Sequence, residues 1–143
     1  MTTATITAIR KSLSEPDISR EFGKVRVDVV KLGDRPVARW TFKPGFDLSR
    51  DMKPHVDRAA IECTHVGYVL RGRLEVRTPD GNRIELRPGD CCRVGGDHEA
   101  RVIGNEPFEV VDFGDVEELL KFLEPSGGRP ETGPSEEEYV VGD

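Results

Sequence analysis

The stretch from Cys63 to Asp97 constrains the fold most, because turn residues divide it into short strand-like segments. Residues 73–77 and 83–87 each alternate apolar and charged side chains, a period of two that is typical of half-buried strands. The turn at 79–82 reads Pro-Asp-Gly-Asn; proline fixes one backbone angle, while glycine and asparagine tolerate positive φ. A second turn, Pro-Gly-Asp, follows at 88–90. Short antiparallel strands joined by tight polar turns predict a closed β-sandwich or barrel.

The strand pattern continues on both sides of this stretch. Alternation of apolar and polar side chains, bounded by glycine and proline turns, again indicates half-buried strands. On this pattern Tyr68 and Ile84 are assigned to the core. The further strands are predicted at residues 25–29, 37–42, 91–94, 98–103 and 108–113.

One helix is predicted after the last strand, with Asp115 as its N-terminal cap and Pro125 ending it. Its apolar residues recur at the spacing of a single helix face, which would pack on the barrel or on a partner chain. They are Val116, Leu119, Leu120 and Leu123.

The first and last predicted elements set the expected domain boundaries. We expect an N-terminal arm at residues 1–21, a barrel with its C-terminal helix at 22–124, and a disordered acidic tail at 125–143. The tail is rich in glycine, proline and glutamate, a composition that buries too little apolar surface to fold alone. Residues 46–60 lack a clean period, and either a plain surface loop or a ligand-contacting loop fits them.

Composition excludes several classes of function. The net charge of −6 and the lack of a dominant basic cluster argue against a nucleic-acid partner. No apolar run approaches the roughly 20 residues that a membrane span requires, and no apolar signal segment opens the chain. The three cysteines include the adjacent Cys91 and Cys92, which rarely bridge. Free thiols and a cytoplasmic location are therefore expected.

The chain resembles the cupin family in the segment Gly67–Leu74, in Asp80-Gly81 and in the segment Leu86–Asp90. Gly72 corresponds to the glycine turn of the first cupin motif, and the Pro-Gly-Asp turn at 88–90 opens the second. The flanking pattern is similar to that of small bacterial cupins without an assigned reaction. The resemblance implies an all-β, double-stranded β-helix barrel and, for a cupin of this size, a homodimer that covers a sheet edge.

The family's usual metal ligands are altered in this sequence. Cupins generally use two histidines and a glutamate from the first motif and a histidine from the second. Counting from the glycine turns, these slots fall on Ala59, Ile61, His65 and Ala100. The usual iron or manganese chemistry of the family is therefore not expected.

Two kinds of rebuilt site remain open. Cys63 and His65 share strand parity, and with His98 they could hold a divalent metal such as zinc. Alternatively, His65 and His98 could hydrogen-bond a small organic ligand, with Trp40 in the wall and His55 reaching in from the mouth. Cysteine and tryptophan are also common packing residues, so Cys63 and Trp40 fit the core equally.

Three functions follow from these alternatives. The first is a small-molecule-binding cupin without catalysis, a sensor or accessory module with a polar cavity around His65 and His98. The second is a metal-dependent enzyme of isomerase or dioxygenase type that uses the rebuilt Cys/His site. The third is an interaction module that acts through residues 115–143. The sequence does not name the ligand, the metal or a reaction.

Overall fold

The computed structural model describes residues 6–123 and 137–141, and these form mostly β-strands. The strands are β1 (Ile6–Arg10), β2 (Ile18–Phe22), β3 (Val25–Leu32), β4 (Arg35–Phe42), β5 (His65–Arg71), β6 (Arg73–Arg77), β7 (Arg83–Leu86), β8 (Cys91–Val94), β9 (Glu99–Ile103), β10 (Phe108–Asp112) and β11 (Glu137–Val141). The helices are α1 (Leu48–Asp51), α2 (Arg58–Glu62) and α3 (Val116–Leu123).

Two antiparallel sheets enclose the core. The larger has the strand order β2-β3-β4-β10-β5-β8, and the smaller has the order β7-β6-β9. Alternate residues of both sheets point inward, as Val27 opposite Trp40 in the larger sheet and Leu74 opposite Leu86 in the smaller one show. The predicted all-β double-stranded β-helix is confirmed.

Gly72 is where the chain passes from the larger sheet to the smaller one. Its φ of 78° lies in the left-handed region that glycine adopts without strain. A Cβ atom at this position would collide with the backbone of Pro107 and Phe108. The crossover from β5 to β6 therefore requires glycine for two independent reasons.

The core assignments of Tyr68 and Ile84 are wrong. Tyr68 is 45% exposed because it shares the outer face of β5 with Val66 and Leu70, opposite in parity to the buried Val69. Ile84 does pair with the buried Val76, but β7 is an edge strand and leaves the side chain 49% exposed. Alternation alone does not tell an edge strand from a central one.

The large sheet starts earlier than the predicted arm of residues 1–21 allows. β2 pairs with β3 from residue 18 to residue 22, and Ile18 is buried in the core. The predicted disordered tail at 125–143 lies outside the described residues except for β11, which pairs antiparallel with β1. β11 contains Tyr-Val-Val, residue types that favour strands.

The helix predicted after Asp115 is confirmed as α3. Val116 and Leu119 are buried in the core, and Leu120 packs partly against it. Asp115 directly precedes the helix, and its side chain accepts a hydrogen bond from the backbone N–H of Thr64 at 3.1 Å. In the described part of the chain no helix is long and apolar enough to cross a membrane.

The irregular segment between β4 and β5 contains the two short helices α1 and α2. We call residues 46–62 the mouth segment. Five of its side chains, Phe46, Leu48, Met52, Ala60 and Ile61, are at most 5% exposed. The segment thus covers the barrel rather than lying on its surface.

Candidate functional site

A cavity of about 80 Å³ lies between the two sheets and under the mouth segment. Its walls are mostly aliphatic and aromatic, and its ionisable groups are His65, His98, Asp112 and the thiol of Cys92. The pKa of Cys92 is raised by burial, so its thiol stays neutral. The remaining lining residues are Trp40, Phe42, Phe46, Leu48, Met52, Ile61, Gly67, Leu74, Val76, Leu86, Val94, Ala100, Phe108 and Val110.

Asp112 is the charged centre of this cavity. Its Oδ2 accepts hydrogen bonds from Trp40 Nε1 at 3.1 Å and from His65 Nδ1 at 2.7 Å. Its Oδ1 accepts from the backbone N–H of Gly114 at 2.8 Å and of Val66 at 3.3 Å. Burial by itself raises the pKa of Asp112, but its bond to His65 and these other donors lower it overall. A carboxyl surrounded by four N–H donors is therefore ionised.

The ionised Asp112 fixes the state of His65. A carboxylate only accepts, so His65 Nδ1 carries a proton. Burial alone would lower the pKa of His65; the hydrogen bonds of its ring to Asp112 and Cys63 outweigh burial and raise the pKa to about 10. His65 is thus an imidazolium at neutral pH, with a second N–H at Nε2. Among the described residues, the hydrogen-bond partner of that nitrogen is Cys63 Sγ at 4.0 Å.

His98 has the opposite character. Its Nδ1 lies 2.9 Å from the carbonyl oxygen of Gly96, which only accepts, so Nδ1 carries the proton. Burial lowers the pKa of His98, and the charges of His65 and Lys53 lower it further. His98 is therefore neutral at pH 7, and its Nε2 is an unprotonated acceptor. This nitrogen makes no hydrogen bond to any residue in the described part of the chain.

The two histidine rings lie close to each other in the cavity wall. Their ring centroids lie 6.5 Å apart, with the rings at 76° to each other. Trp40 packs edge-on against His65 at 6.1 Å and so holds the orientation of the charged ring. Both rings line the cavity, so a polar ligand group in it would lie beside two imidazoles of different protonation state.

The structure brings together most of the residues predicted from the sequence. His65, His98 and Trp40 all line the cavity. Cys63 reaches His65 but ends α2 instead of lying on β5, so strand parity does not govern its direction. His55 is not part of the cavity: it is exposed and its ring lies 6.2 Å from that of Phe22.

Sequence reasoning missed Asp112 and the apolar side chains of the mouth segment. Asp112 shares its strand parity with Val110 and Phe108, an inward face that the alternation of β10 could have indicated. A charged residue at an inward position is a signal for a functional site. The mouth segment offered no such signal, because its apolar residues lack a regular period.

The donor set does not fit the family's usual metal centre. Within residues 6–123 and 137–141, no three His, Cys, Asp or Glu side chains are grouped so as to hold a metal ion. The hydrogen bond from His65 Nδ1 to Asp112 leaves Nε2 as the nitrogen through which His65 could ligate a metal. The zinc site of Cys63, His65 and His98 stays a prediction, which metal analysis of the purified protein tests.

The family model described as the cupin domain matches residues 38–114, more than half of the 143-residue chain. The chain belongs to the cupin family. The match runs from β4 to just past Asp112 and so contains the cavity's histidines and its carboxylate. No functionally curated protein matches the chain.

Solved structures share the cupin fold at low sequence identity. Ectoine synthase from P. lautus superposes with a TM-score of 0.54 at 13% identity, over 75% of this chain and 78% of that one. A protein of unknown function from Rhizobium leguminosarum bv. viciae gives 0.49 at 19% identity, over 80% and 99%. The cupin domain of an XRE-family transcriptional regulator from Enterobacter cloacae gives 0.45 at 20% identity, over 63% and 94%. Of these three, the likeness to ectoine synthase has a TM-score above 0.5, and it shows the fold alone.

Proposed function

We propose that this cupin binds a small, largely apolar organic molecule in its barrel cavity without converting it, as a sensor or accessory module. The observation that carries the proposal is the unmatched hydrogen-bonding pair inside an apolar cavity, His65 Nε2 as donor and His98 Nε2 as acceptor. Binding pockets are typically apolar with a few convergent polar groups that fix orientation.

The state of the histidines favours binding over catalysis. His65 is held as an imidazolium by Asp112, so it is a poor general base at neutral pH. Among the described residues that line the cavity, Asp112 is the one carboxylate. The runner-up function, a metal-dependent isomerase or dioxygenase, rests on the 4.0 Å approach of Cys63 to His65.

Trp40 allows a direct test, since it is the only tryptophan and forms part of the cavity wall. We would titrate the protein with 3-methylbutanol, 3-methylbutanamide and 3-methylbutanoic acid, which share one apolar body. At least one should change Trp40 fluorescence saturably and raise the melting temperature, because a ligand that binds the folded state stabilises it. NMR should recover the compound unchanged after incubation.

Two variants in which an alanine is replaced by leucine locate the binding site. Ala100→Leu fills the cavity and should abolish the response, whereas Ala59→Leu adds the same volume at an exposed position of α2 and should preserve it. Failure of all three compounds to bind, or equal binding to both variants, would reject the cavity as the site. Chemical conversion of the bound compound would favour an enzyme instead.

A further inference from the structure

The outer face of the six-stranded sheet differs between its two halves. On the half formed by β2, β3 and β4, the N-terminal residues lie against the sheet: Arg39 donates to the carbonyl oxygen of Leu13 at 3.1 Å. The outward Val30 of β3 is 4% exposed. On the half that contains β5 and β8, the outward side chains remain exposed.

The exposed half carries a strip of large apolar side chains. Six such side chains are exposed in the described part of the chain, and four of them lie together here. Val66, Tyr68 and Leu70 alternate along the outer face of β5. Phe113 follows β10, and its backbone N–H donates to the carbonyl oxygen of Val66 at 2.7 Å. We call these four residues the outer strip. Single exposed apolar residues are ordinary, whereas a contiguous group indicates an interaction surface.

We propose that the outer strip is the contact surface between two copies of this chain, related by a two-fold axis that passes close to Tyr68. The contact is a sheet face, and in this it goes beyond the edge-covering homodimer that the family resemblance implies. It is independent of the proposed ligand binding, because the cavity lies on the other face of β5, where Gly67 forms part of its wall.

Two charged side chains flank the outer strip on opposite sides. Arg93 on β8 pairs with Val66, at one end of the strip. Glu109 on β10 lies at the other end, beside Leu70, because its partner on β5 is Arg71. Neither Arg93 nor Glu109 makes an ion pair or a side-chain hydrogen bond within the described part of the chain.

Both charges belong to the same face as the strip. Residues that are directly paired across neighbouring strands point to the same side of a sheet, so Arg93 shares the side of Val66. Glu109 pairs with Thr41 on β4, whose neighbours Trp40 and Phe42 line the cavity on the inner side. The outer face therefore has an apolar centre, a cation at one corner and an anion at the opposite corner.

This arrangement is complementary to itself. In a two-fold dimer the same surface faces its own copy, so each residue of a contacting pair appears twice. An axis in the plane of the face, perpendicular to the line from Arg93 to Glu109, places each Arg93 against Glu109 of the other copy. The apolar strips are then buried at the centre and two ion pairs lie at the rim, as in known interfaces. A strongly acidic or strongly basic partner would instead meet a like charge at one end.

Tyr68 is the expected anchor of the contact. It is paired with Val111 on β10 and with Cys91 on β8, and so lies at the middle of the exposed half. Tyrosine is enriched among the residues that contribute most to binding, and these cluster near the centre of an interface. On the two-fold axis, the Tyr68 rings of the two copies pack against each other.

The first test is sedimentation velocity of the full chain over a range of concentrations. The unaltered protein should dimerise, and Tyr68→Arg should weaken dimerisation at least about tenfold, because it puts two like charges together on the axis. Ile84→Arg makes the same change at a similarly exposed position, on the edge strand of the other sheet, and should have no effect. A monomer at every concentration, or equal losses in the two variants, overturns the proposal.

Charge exchange tests the orientation of the two copies. Arg93→Glu and Glu109→Arg should each weaken dimerisation, because each places like charges face to face. The double variant exchanges the two charges and should dimerise almost as tightly as the unaltered protein. A double variant that is weaker than either single variant contradicts the arrangement.

A chemical measurement keeps the proposal testable if Tyr68→Arg does not fold. Cys91 is exposed and lies beside Tyr68, so a second copy would cover it. Its alkylation by iodoacetamide in the unaltered protein, followed by peptide mass spectrometry, should slow as the protein concentration rises. A rate for Cys91 that does not depend on protein concentration contradicts the proposed interface.

Discussion

Two buried aspartates lie on the same six-stranded sheet, one on each face. Asp28 is on the outer face and is surrounded by Ser19, Arg26 and Arg39 at 2.8, 3.1 and 3.2 Å. Asp112 is on the inner face. Their exposed fractions are 0% and 2%, so burial does not distinguish them.

The partners decide what each carboxylate can do. The arginines beside Asp28 are permanently charged, and Arg39 also donates to the carbonyl oxygen of Leu13, which ties the N-terminal segment to the sheet. Asp112 is paired with a histidine, whose second nitrogen faces a cavity. A buried carboxylate with fixed counter-charges is structural, whereas one that charges a histidine beside open space creates a binding group. The next four experiments test this distinction.

Asp28→Ala should have the largest effect on stability. It removes the carboxylate paired with Arg39 and leaves Arg26 with Glu21 at 4.0 Å, and removing one member of a buried ion pair costs about 3–5 kcal/mol. The side chains of Arg26 and Arg39 are 47% and 26% exposed, so we expect the lower end, about 3 kcal/mol. Urea unfolding measures the loss, with Asp34→Ala in an exposed turn as control. Ligand binding of the folded variant should not change. A loss of binding would mean that Asp28 is not purely structural.

Asp112→Asn should act mainly on His65. Without the carboxylate, burial dominates and the pKa of His65 falls from about 10 to below its ordinary value of 6.5. NMR of the imidazole nitrogens across pH 5–9 would show His65 titrating in the variant but not in the unaltered protein. We expect a stability loss of about 1–3 kcal/mol. Titration of His65 near neutrality in the unaltered protein would contradict the ion pair.

The pH dependence of stability gives a third test. The pKa of His65 is raised to about 10 by folding from an ordinary value of 6.5. Its contribution is therefore complete below pH 6.5 and is lost as the pH rises towards 10. The slope is at most about 1.4 kcal/mol per pH unit. Urea unfolding between pH 6.5 and pH 9 should show a steeper decline for the unaltered protein than for His65→Gln, with His55→Gln retaining the full slope.

The smallest effects should come from single hydrogen bonds. Ser19→Ala removes one donor from Asp28, and Trp40→Phe removes one from Asp112. Each should cost about 0.5–1.5 kcal/mol. Only Trp40→Phe should also weaken binding of 3-methylbutanoic acid, because it loosens the group that charges His65. Equal effects of the two variants on binding would mean that the two aspartates are not functionally distinct.

Much of the fold was readable from local pattern. The period of two in β6, the glycine turns and the helix after Asp115 each follow from short-range sterics and burial, so the sequence predicts them directly. His65 and His98 were found in the same way, because both lie near recognisable turns. Ile84 and Tyr68 were wrongly assigned to the core. Alternation along a strand shows which residues share a face, but it does not show whether that face is covered by strands that are distant in sequence.

The chemistry of the site was decided by tertiary structure. The sequence by itself determined which residue types the barrel contains, that the usual metal-ligand slots are altered, and that two histidines are available to one cavity. It could not determine that Asp112, 47 residues after His65, makes one histidine a charged donor while burial leaves the other a neutral acceptor. Protonation states depend on distances, burial and the direction of each hydrogen bond, and these exist only once strands far apart in the chain are packed together.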